Sequence, residues 1–205
     1  TASNLASAIS NAPTKSKFMI VSNPDRHLIC FGTETTIGTL ATQDPMFIRW
    51  SDQDDYTSWN ATATNSAGSQ RVTGGSKIVT AVSTRGQILF LTDTSAHGMS
   101  FIGAPFTFGF QKLGTNCGAV SPHCAVDISG IIYWMSSDGF YMFDGTVRKM
   151  PCTVEDFVFD NIDATQLEQV YAASNSAFGE VIWLYCSTAS NQIDRYVIFN
   201  YQEKL

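Results

Sequence analysis

Three carboxylates, Asp52, Asp54 and Asp55, stand between two tryptophans in Arg49-Trp-Ser-Asp-Gln-Asp-Asp-Tyr-Thr-Ser-Trp59. Alternating acidic oxygens could hold a calcium ion, but such a loop needs a glycine at its sharp turn and a closing bidentate acid. Neither is present, so the segment reads as a turn whose Asp side chains accept hydrogen bonds from nearby amides. His27, His97 and His123, the last beside Cys124 and near Cys117, offer softer ligands. Structural zinc takes ligand pairs twice over, and the second pair is missing. His97 and His123 are expected to make polar loop contacts and His27 to occupy a strand edge. No metal and no cofactor is assigned.

Nucleophilic and phosphate chemistry is equally unmarked. There is no Gly-x-Ser-x-Gly elbow and no local cysteine signature. Thr73-Gly-Gly-Ser-Lys77 has glycines and a lysine without P-loop spacing, and reads as a turn ahead of Ile78. Ser136-Ser-Asp138-Gly comes near the Asp-box of sialidase-like propellers, Ser-x-Asp-x-Gly-x-Thr-Trp, but its glycine is one place early and the threonine is absent. The six arginines, 26, 49, 71, 85, 148 and 195, form no sequence pair that would suggest a carboxylate clamp. A glycosidase would also need two facing carboxyls, which no spacing here marks. Asn60-Ala-Thr62 matches a glycosylation sequon with no secretion signal beside it. No catalytic residue is assigned.

The elements that must position these residues are β-rich. Apolar runs of strand length recur at Phe18–Val21, Leu28–Phe31, Met46–Trp50, Ile78–Val82, Ile88–Leu91 and Met99–Ile102. They continue at Ile131–Met135, Phe140–Phe143, Val181–Cys186 and Tyr196–Tyr201. Turn formers separate them, among them Ser22-Asn-Pro-Asp25, Arg85-Gly86, Ser129-Gly130, Ser137-Asp-Gly139 and Asp144-Gly145. One stretch, residues 154–173, has mixed helical spacing of Phe157, Val158, Ile162, Leu167 and Val170, and is expected to form a short helical insertion with a solvated acidic face. Phe101 to Gly118, dense in Phe and Gly, reads as an aromatic loop that packs between blades or against a partner subunit.

A long-range repeat organises the strands. Val82-Ser-Thr-Arg-Gly86-Gln-Ile-Leu-Phe90, Val126-Asp-Ile-Ser-Gly130-Ile-Ile-Tyr-Trp134 and Asn175-Ser-Ala-Phe-Gly179-Glu-Val-Ile-Trp183 each place a glycine four residues before an aromatic. The glycines are 44 and 49 residues apart, and a fainter copy without the glycine spans Phe18–Phe31. Strand, turn, aromatic strand, turn and third strand in units of about 40–50 residues mark propeller blades. The fold expected is therefore all-β: a β-propeller, with about four blade-like units over residues 1–205 as part of a larger single domain.

Composition narrows the function. The 205 residues carry 18 acids against 12 Lys and Arg, a formal charge of −6, so a basic face that wraps DNA is excluded while passage of DNA past a repelling wall is not. Only 15 % are charged and 42 are Ser or Thr, which excludes a bundle of Glu/Lys-paired helices. Five cysteines, 30, 117, 124, 152 and 186, make no CxxC pair and no even framework, pointing to synthesis in a reducing place. No apolar run nears the roughly 20 residues of a membrane span, so no membrane insertion is expected.

Asp44-Pro-Met-Phe-Ile-Arg-Trp-Ser-Asp52, Thr84-Arg-Gly-Gln-Ile-Leu-Phe-Leu-Thr-Asp93, Gly109-Phe-Gln-Lys-Leu-Gly-Thr-Asn-Cys-Gly118 and Tyr133-Trp-Met-Ser-Ser-Asp-Gly-Phe-Tyr-Met-Phe-Asp-Gly145 together resemble structural proteins of short-tailed bacteriophages. They are similar to the tail nozzle, or tail tubular protein B, and to packaged-DNA stabilisation proteins, over about Phe18–Tyr201. The resemblance implies a virion protein made in the bacterial cytoplasm. It implies a propeller subunit forming a ring with copies of itself around the DNA exit channel, beside the tail adaptor, with no catalysis and no sequence-specific DNA contact. Such proteins are much longer, so the chain, starting at Thr1 without Met, is expected to be a piece of a longer polypeptide. The alternative is a carbohydrate-binding or sialidase-like propeller; a third reading is a cellular scaffold that docks peptides.

Overall fold

A computed structural model describes residues 9, 11–23 and 25–203. The predicted runs become strands, and the repeat becomes four antiparallel sheets that follow one another along the chain. The first contains β1 (Phe18–Ser22), β2 (His27–Phe31), β3 (Phe47–Trp50) and β4 (Gly68–Arg71). The second contains β5 (Ile78–Ser83), β6 (Ile88–Thr92), β7 (Ser95–Gly103) and β8 (Thr107–Thr115). The third contains β9 (Ala125–Ile128), β10 (Ile131–Ser136), β11 (Gly139–Phe143) and β12 (Val147–Lys149). The fourth has three strands, β13 (Tyr171–Asn175), β14 (Glu180–Tyr185) and β15 (Arg195–Asn200). One helix, α1 (Glu155–Asn161), lies between the third and fourth sheets in sequence. The all-β class with a short helical insertion is thus the observed one.

The chain divides into two compact units, Thr1–Thr73 with Phe101–Gly109, and Gly74–Ser100 with the residues from Phe110 onward. In the first unit the inner faces of β2 and β3 bury Ile29, Phe31, Ile48 and Trp50. In the second, one apolar cluster runs through Leu89, Leu91, Ile132, Trp134, Phe140, Val181 and Trp183, all fully or almost fully buried.

The glycine of the repeat sits in the loop between the first and second strand of its sheet, because that loop needs a left-handed residue. Gly86, Gly130 and Gly179 have φ of +88°, +91° and +70°, a region open to glycine and strained for residues with a Cβ. At Ser129-Gly130 both residues have positive φ and the flanking Ile128 pairs Ile131, the geometry of a two-residue type I′ hairpin. In the first sheet Arg26 takes the same place with φ +57°, which is why that copy is faint in the sequence. Pro24, in the same turn, lies outside the described residues.

The aromatic four residues on is the centre of its sheet. Phe90, Trp134 and Trp183 are at most 1 % exposed. Trp134 donates its indole N–H to the carbonyl of Cys117 at 2.8 Å, and Trp183 to that of Cys124 at 3.0 Å. Both acceptors lie in the connection between β8 and β9, so each tryptophan ties the middle strand of its own sheet to the chain segment leading out of the second sheet or into the third. A buried N–H needs such a partner.

Three expectations need correction. The helical insertion is α1 plus one 3-10 turn at Leu167–Gln169, and Tyr171–Ala173 belong to β13. Tertiary pairing ends the helix: Asp163 donates to the Cys186 carbonyl and Ala172 to that of His123, so the chain goes extended. The Phe101–Gly118 stretch is no loop but the end of β7, a turn and β8. Finally β4, β8 and β12 were not legible as strands, since Gly-Ser-Gln-Arg and Val-Arg-Lys hold too little apolar surface and β8 is diluted by Gly109 and Gly114.

Candidate functional site

The carboxylates singled out above do not converge. Asp52 accepts hydrogen bonds from the Gln53 amide at 2.9 Å and from both the amide and the hydroxyl of Ser66, at 2.8 and 2.6 Å. Asp55 takes the amide and hydroxyl of Thr57 at 2.8 and 2.6 Å. Asp54 pairs with Arg26 at 2.7 Å. Asp52 and Asp55 are turned toward their own loop and Asp54 toward the β1–β2 turn, and among the described residues no group of three His, Cys, Asp or Glu could hold a metal ion.

The same device recurs across both units. Asp93 accepts the amide and hydroxyl of Ser76 at 2.8 and 2.5 Å, and Asp194 those of Ser187, both at 2.7 Å. Asp163 does the same for Thr165, at 2.8 and 2.7 Å. Each carboxylate is stabilised by two hydrogen-bond dipoles, joined at Asp194 by Arg195 at 3.9 Å. The hydroxyl and amide of Ser66 hold Asp52 below the usual carboxylate range, and those of Thr57 and Ser187 do so for Asp55 and Asp194. At Asp93 burial pushes the other way and is outweighed by the Ser76 bonds. Serine and threonine thus meet five of the acids of this lysine- and arginine-poor chain, and at Asp55 the Thr57 bonds outweigh the opposing charge of Asp52.

The histidines are embedded deeper than expected. His27 opens β2 inside a four-stranded sheet and is wholly buried, with Nε2 3.0 Å from Ser66 Oγ and its ring edge-on to Phe108 at 5.1 Å. His97 is a β7 residue, with Nε2 2.8 Å from Ser95 Oγ and its ring stacked on Phe90 at 5.0 Å. Burial lowers both pKa values, opposed at His27 by the charges of Asp25, Asp52 and Asp54. Ser95 beside His97 has the types of a nucleophile and base, yet its hydroxyl donates to the Gly74 carbonyl and bonds Thr92, closing the Gly74-Gly75 turn. His123 stacks obliquely on Tyr171 at 5.4 Å, and its carbonyl accepts from Ala172.

The remaining motifs are structural by geometry. Ser136-Ser-Asp138-Gly is the tight β10–β11 turn: Tyr141 donates to Asp138 at 3.0 Å, and Lys149 caps the Asp138 carbonyl at 2.6 Å while pairing with Glu155. The arginines are spread apart. Arg71 pairs Asp44 and Arg148 pairs Asp144, while buried Arg49 spends its guanidinium on the carbonyls of Thr35, Glu34 and Trp59. Glu34, buried beside it, is held below its ordinary range: burial works against this, but the Thr14 hydroxyl, the Gly38 and Thr14 amides and Arg49 prevail. Phe101 and Phe108 pack their rings around His27 and Trp50 within the first unit. All five cysteines are free thiols, Cys30 pushed up to about 11 by burial.

Asp55-Tyr-Thr57 and Asp163-Ala-Thr165 carry a readable local signal, since an Asx turn bonds two residues on. The partners Ser66, Ser76 and Ser187 are 14, 17 and 7 residues from their acids and had no such signal. No helix among the described residues is long and apolar enough to cross a membrane. Neither the known protein families nor the curated proteins contain a match to this chain.

Proposed function

We propose that the chain is a non-catalytic structural part of a short-tailed phage virion, a tail nozzle or tube segment whose propeller lines or seals the DNA exit channel. The observation that carries this reading is the succession of four antiparallel sheets, built on one glycine-turn and aromatic-core pattern, together with the residues that resemble such tail proteins. The sheets act as blades of a propeller larger than this chain, which forms a ring with copies of itself beside the tail adaptor.

The side-chain chemistry suits that role. The carboxylates of Asp52, Asp93 and Asp194 are each bonded to a serine amide elsewhere in the chain, which ties their turns down. A net negative wall holding few lysines repels phosphates, so DNA passes without being bound. Electron microscopy of virions decorated with gold-labelled antibody to this chain tests the reading. Label at the tail is the expected result, and label elsewhere, or virions free of the protein, refutes it.

A further inference from the structure

The two ring nitrogens of the fully buried His27 are unlike. The Ser66 hydroxyl has one hydrogen, which it donates to Asp52 Oδ1 at 2.6 Å. Toward His27 Nε2, 3.0 Å away, Ser66 Oγ therefore accepts, as it also does from the Gln53 amide at 3.0 Å. The neutral ring is thereby fixed as the Nε2–H tautomer, with the lone pair on Nδ1. Nδ1 is buried and has no hydrogen-bond partner among the described residues, so it is the atom left to take up a proton.

Residues 101–109, the turn end of the β7–β8 hairpin, belong to the first compact unit and cover this ring. Phe108 meets it edge-on at 5.1 Å and Phe101 obliquely at 5.7 Å. Thr107 ties the cover down by donating to the Ser66 carbonyl at 2.9 Å, so Ser66 holds His27 by its hydroxyl and Thr107 by its carbonyl. The cover is closed under strain: Thr107 is β-branched with φ +60°, and the Phe108 amide donates back across it to the Phe106 carbonyl at 2.7 Å, the rarer and strained form of the three-residue turn. Residues 101–109, residues 60–67 and β1 contain no ionisable side chain. The charges that face the ring all stand on turns of the first sheet: Asp25 in the β1–β2 turn, and Asp52 and Asp54 after β3, with Arg26 paired to Asp54. Burial opposes a charge on the ring and outweighs these carboxylates and the Asp25 main chain, which favour it. A charged ring thus has carboxylates on the side of the sheet, and two phenyl rings with no charged acceptor on the side of the cover.

We propose that His27 is a proton-operated latch: with Nδ1 bare, the ring and Ser66 clamp residues 101–109 onto the first sheet, and a proton on Nδ1 releases that end of the hairpin. Release hydrates the imidazolium, relieves Thr107 and uncovers the faces of Phe101, Phe108 and Trp50 that now pack together. The open form binds the proton more readily than the closed one, so acid favours opening, and the shift begins as pH falls below about 6.5. The latch is independent of the tail reading, since all its parts lie within the first compact unit.

Nitrogen NMR of the histidine rings, with amide exchange followed between about pH 7.5 and pH 5 on the purified chain, tests the latch. At the upper pH His27 should show a protonated Nε2 and a bare Nδ1. The protection of the Phe108 amide, taken against its intrinsic exchange rate at each pH, should fall at least ~5-fold across the range, while the amides of β2 and β3 keep theirs within ~2-fold. His27→Gln, whose amide can still donate to Ser66 but takes up no proton, should hold the Phe108 protection constant. His97→Gln and His123→Gln should leave the fall as it is in the unaltered chain. An Nδ1–H tautomer at the upper pH, a Phe108 protection that does not change with pH, or the same fall in His27→Gln overturns the proposal. So does an equal loss of protection across β2, β3 and residues 101–109, which would mean that the unit unfolds as a whole. Should His27→Gln fail to fold, the ring and exchange data of the unaltered chain and of His97→Gln still decide.

Discussion

Replacing Trp134 with Phe removes one N–H and one ring while leaving an aromatic against Tyr141, whose ring centroid lies 5.8 Å away. The Cys117 carbonyl then loses the 2.8 Å bond that is its only hydrogen bond among the described residues. Leaving a buried acceptor unmet costs about 1–3 kcal/mol. The missing ring leaves a void of roughly 40 Å3, worth about 1 kcal/mol more. The sum, about 3 kcal/mol, is a large share of a typical stability of roughly 5–15 kcal/mol. Trp183→Phe makes an informative comparison, because its acceptor, the Cys124 carbonyl, also receives the Met135 amide at 3.3 Å. That second bond should limit the loss to about 2 kcal/mol. Urea unfolding followed by far-ultraviolet circular dichroism measures both, and Tm should fall by about 2–4 °C per kcal/mol. If Trp134→Phe costs less than about 1 kcal/mol, or less than Trp183→Phe, the tryptophans only fill space and their hydrogen bonds do not secure the sheets.

Stability should fall with acid in two stages. His27 and His97 have lowered folded pKa values, so the unfolded chain takes up protons first and stability begins to drop as pH falls below about 6.5. Asp52, Asp55, Asp93 and Asp194, also lowered, contribute stability that is fully present above about pH 4 and is lost as pH falls through their folded values. A urea series across pH checks this; His27→Gln with His97→Gln should flatten the upper stage only, and a single fall near pH 4 in the unaltered chain would contradict it. Gly118→Ala should be among the most damaging single changes, at about 3 kcal/mol or more, because its Cβ would come within 2.2 Å of the Asp93 backbone. Expression as insoluble protein or a strongly lowered urea midpoint is the expected result, and a wild-type midpoint refutes it. Thiol titration of the native chain at neutral pH should label Cys152 first, since the other four thiols are buried and burial raises them all. Labelling of Cys124 before Cys152 would count against the core described.

The strands with dense β-branched and aromatic side chains, such as Ile131–Ser136 and Glu180–Tyr185, were legible because burial on a pleated sheet is written into composition over a few residues. The glycine turns were legible for a similar reason: Gly86, Gly130 and Gly179 answer a local demand for positive φ. Arg26 shows the limit of that rule, meeting the same demand without glycine. The fourth strands β4 and β12 were not legible, because pairing along a ready-made edge needs only backbone groups and leaves no apolar pattern behind. The end of α1 escaped for a related reason, since the Cys186 and His123 carbonyls that pull the next residues extended are far away in sequence.

The polar network divides the same way. Composition alone determined that this is a Ser- and Thr-rich, mildly acidic β protein with few cations, and residue spacing determined that it repeats. Only the tertiary structure decided that Asp52 belongs to Ser66, Asp93 to Ser76 and Asp194 to Ser187, and that Phe140, Met150, Trp183 and Val197 line one apolar cavity. A hydrogen bond depends on the positions of two atoms, and chain separation says nothing of their distance until the fold has closed the loop between them.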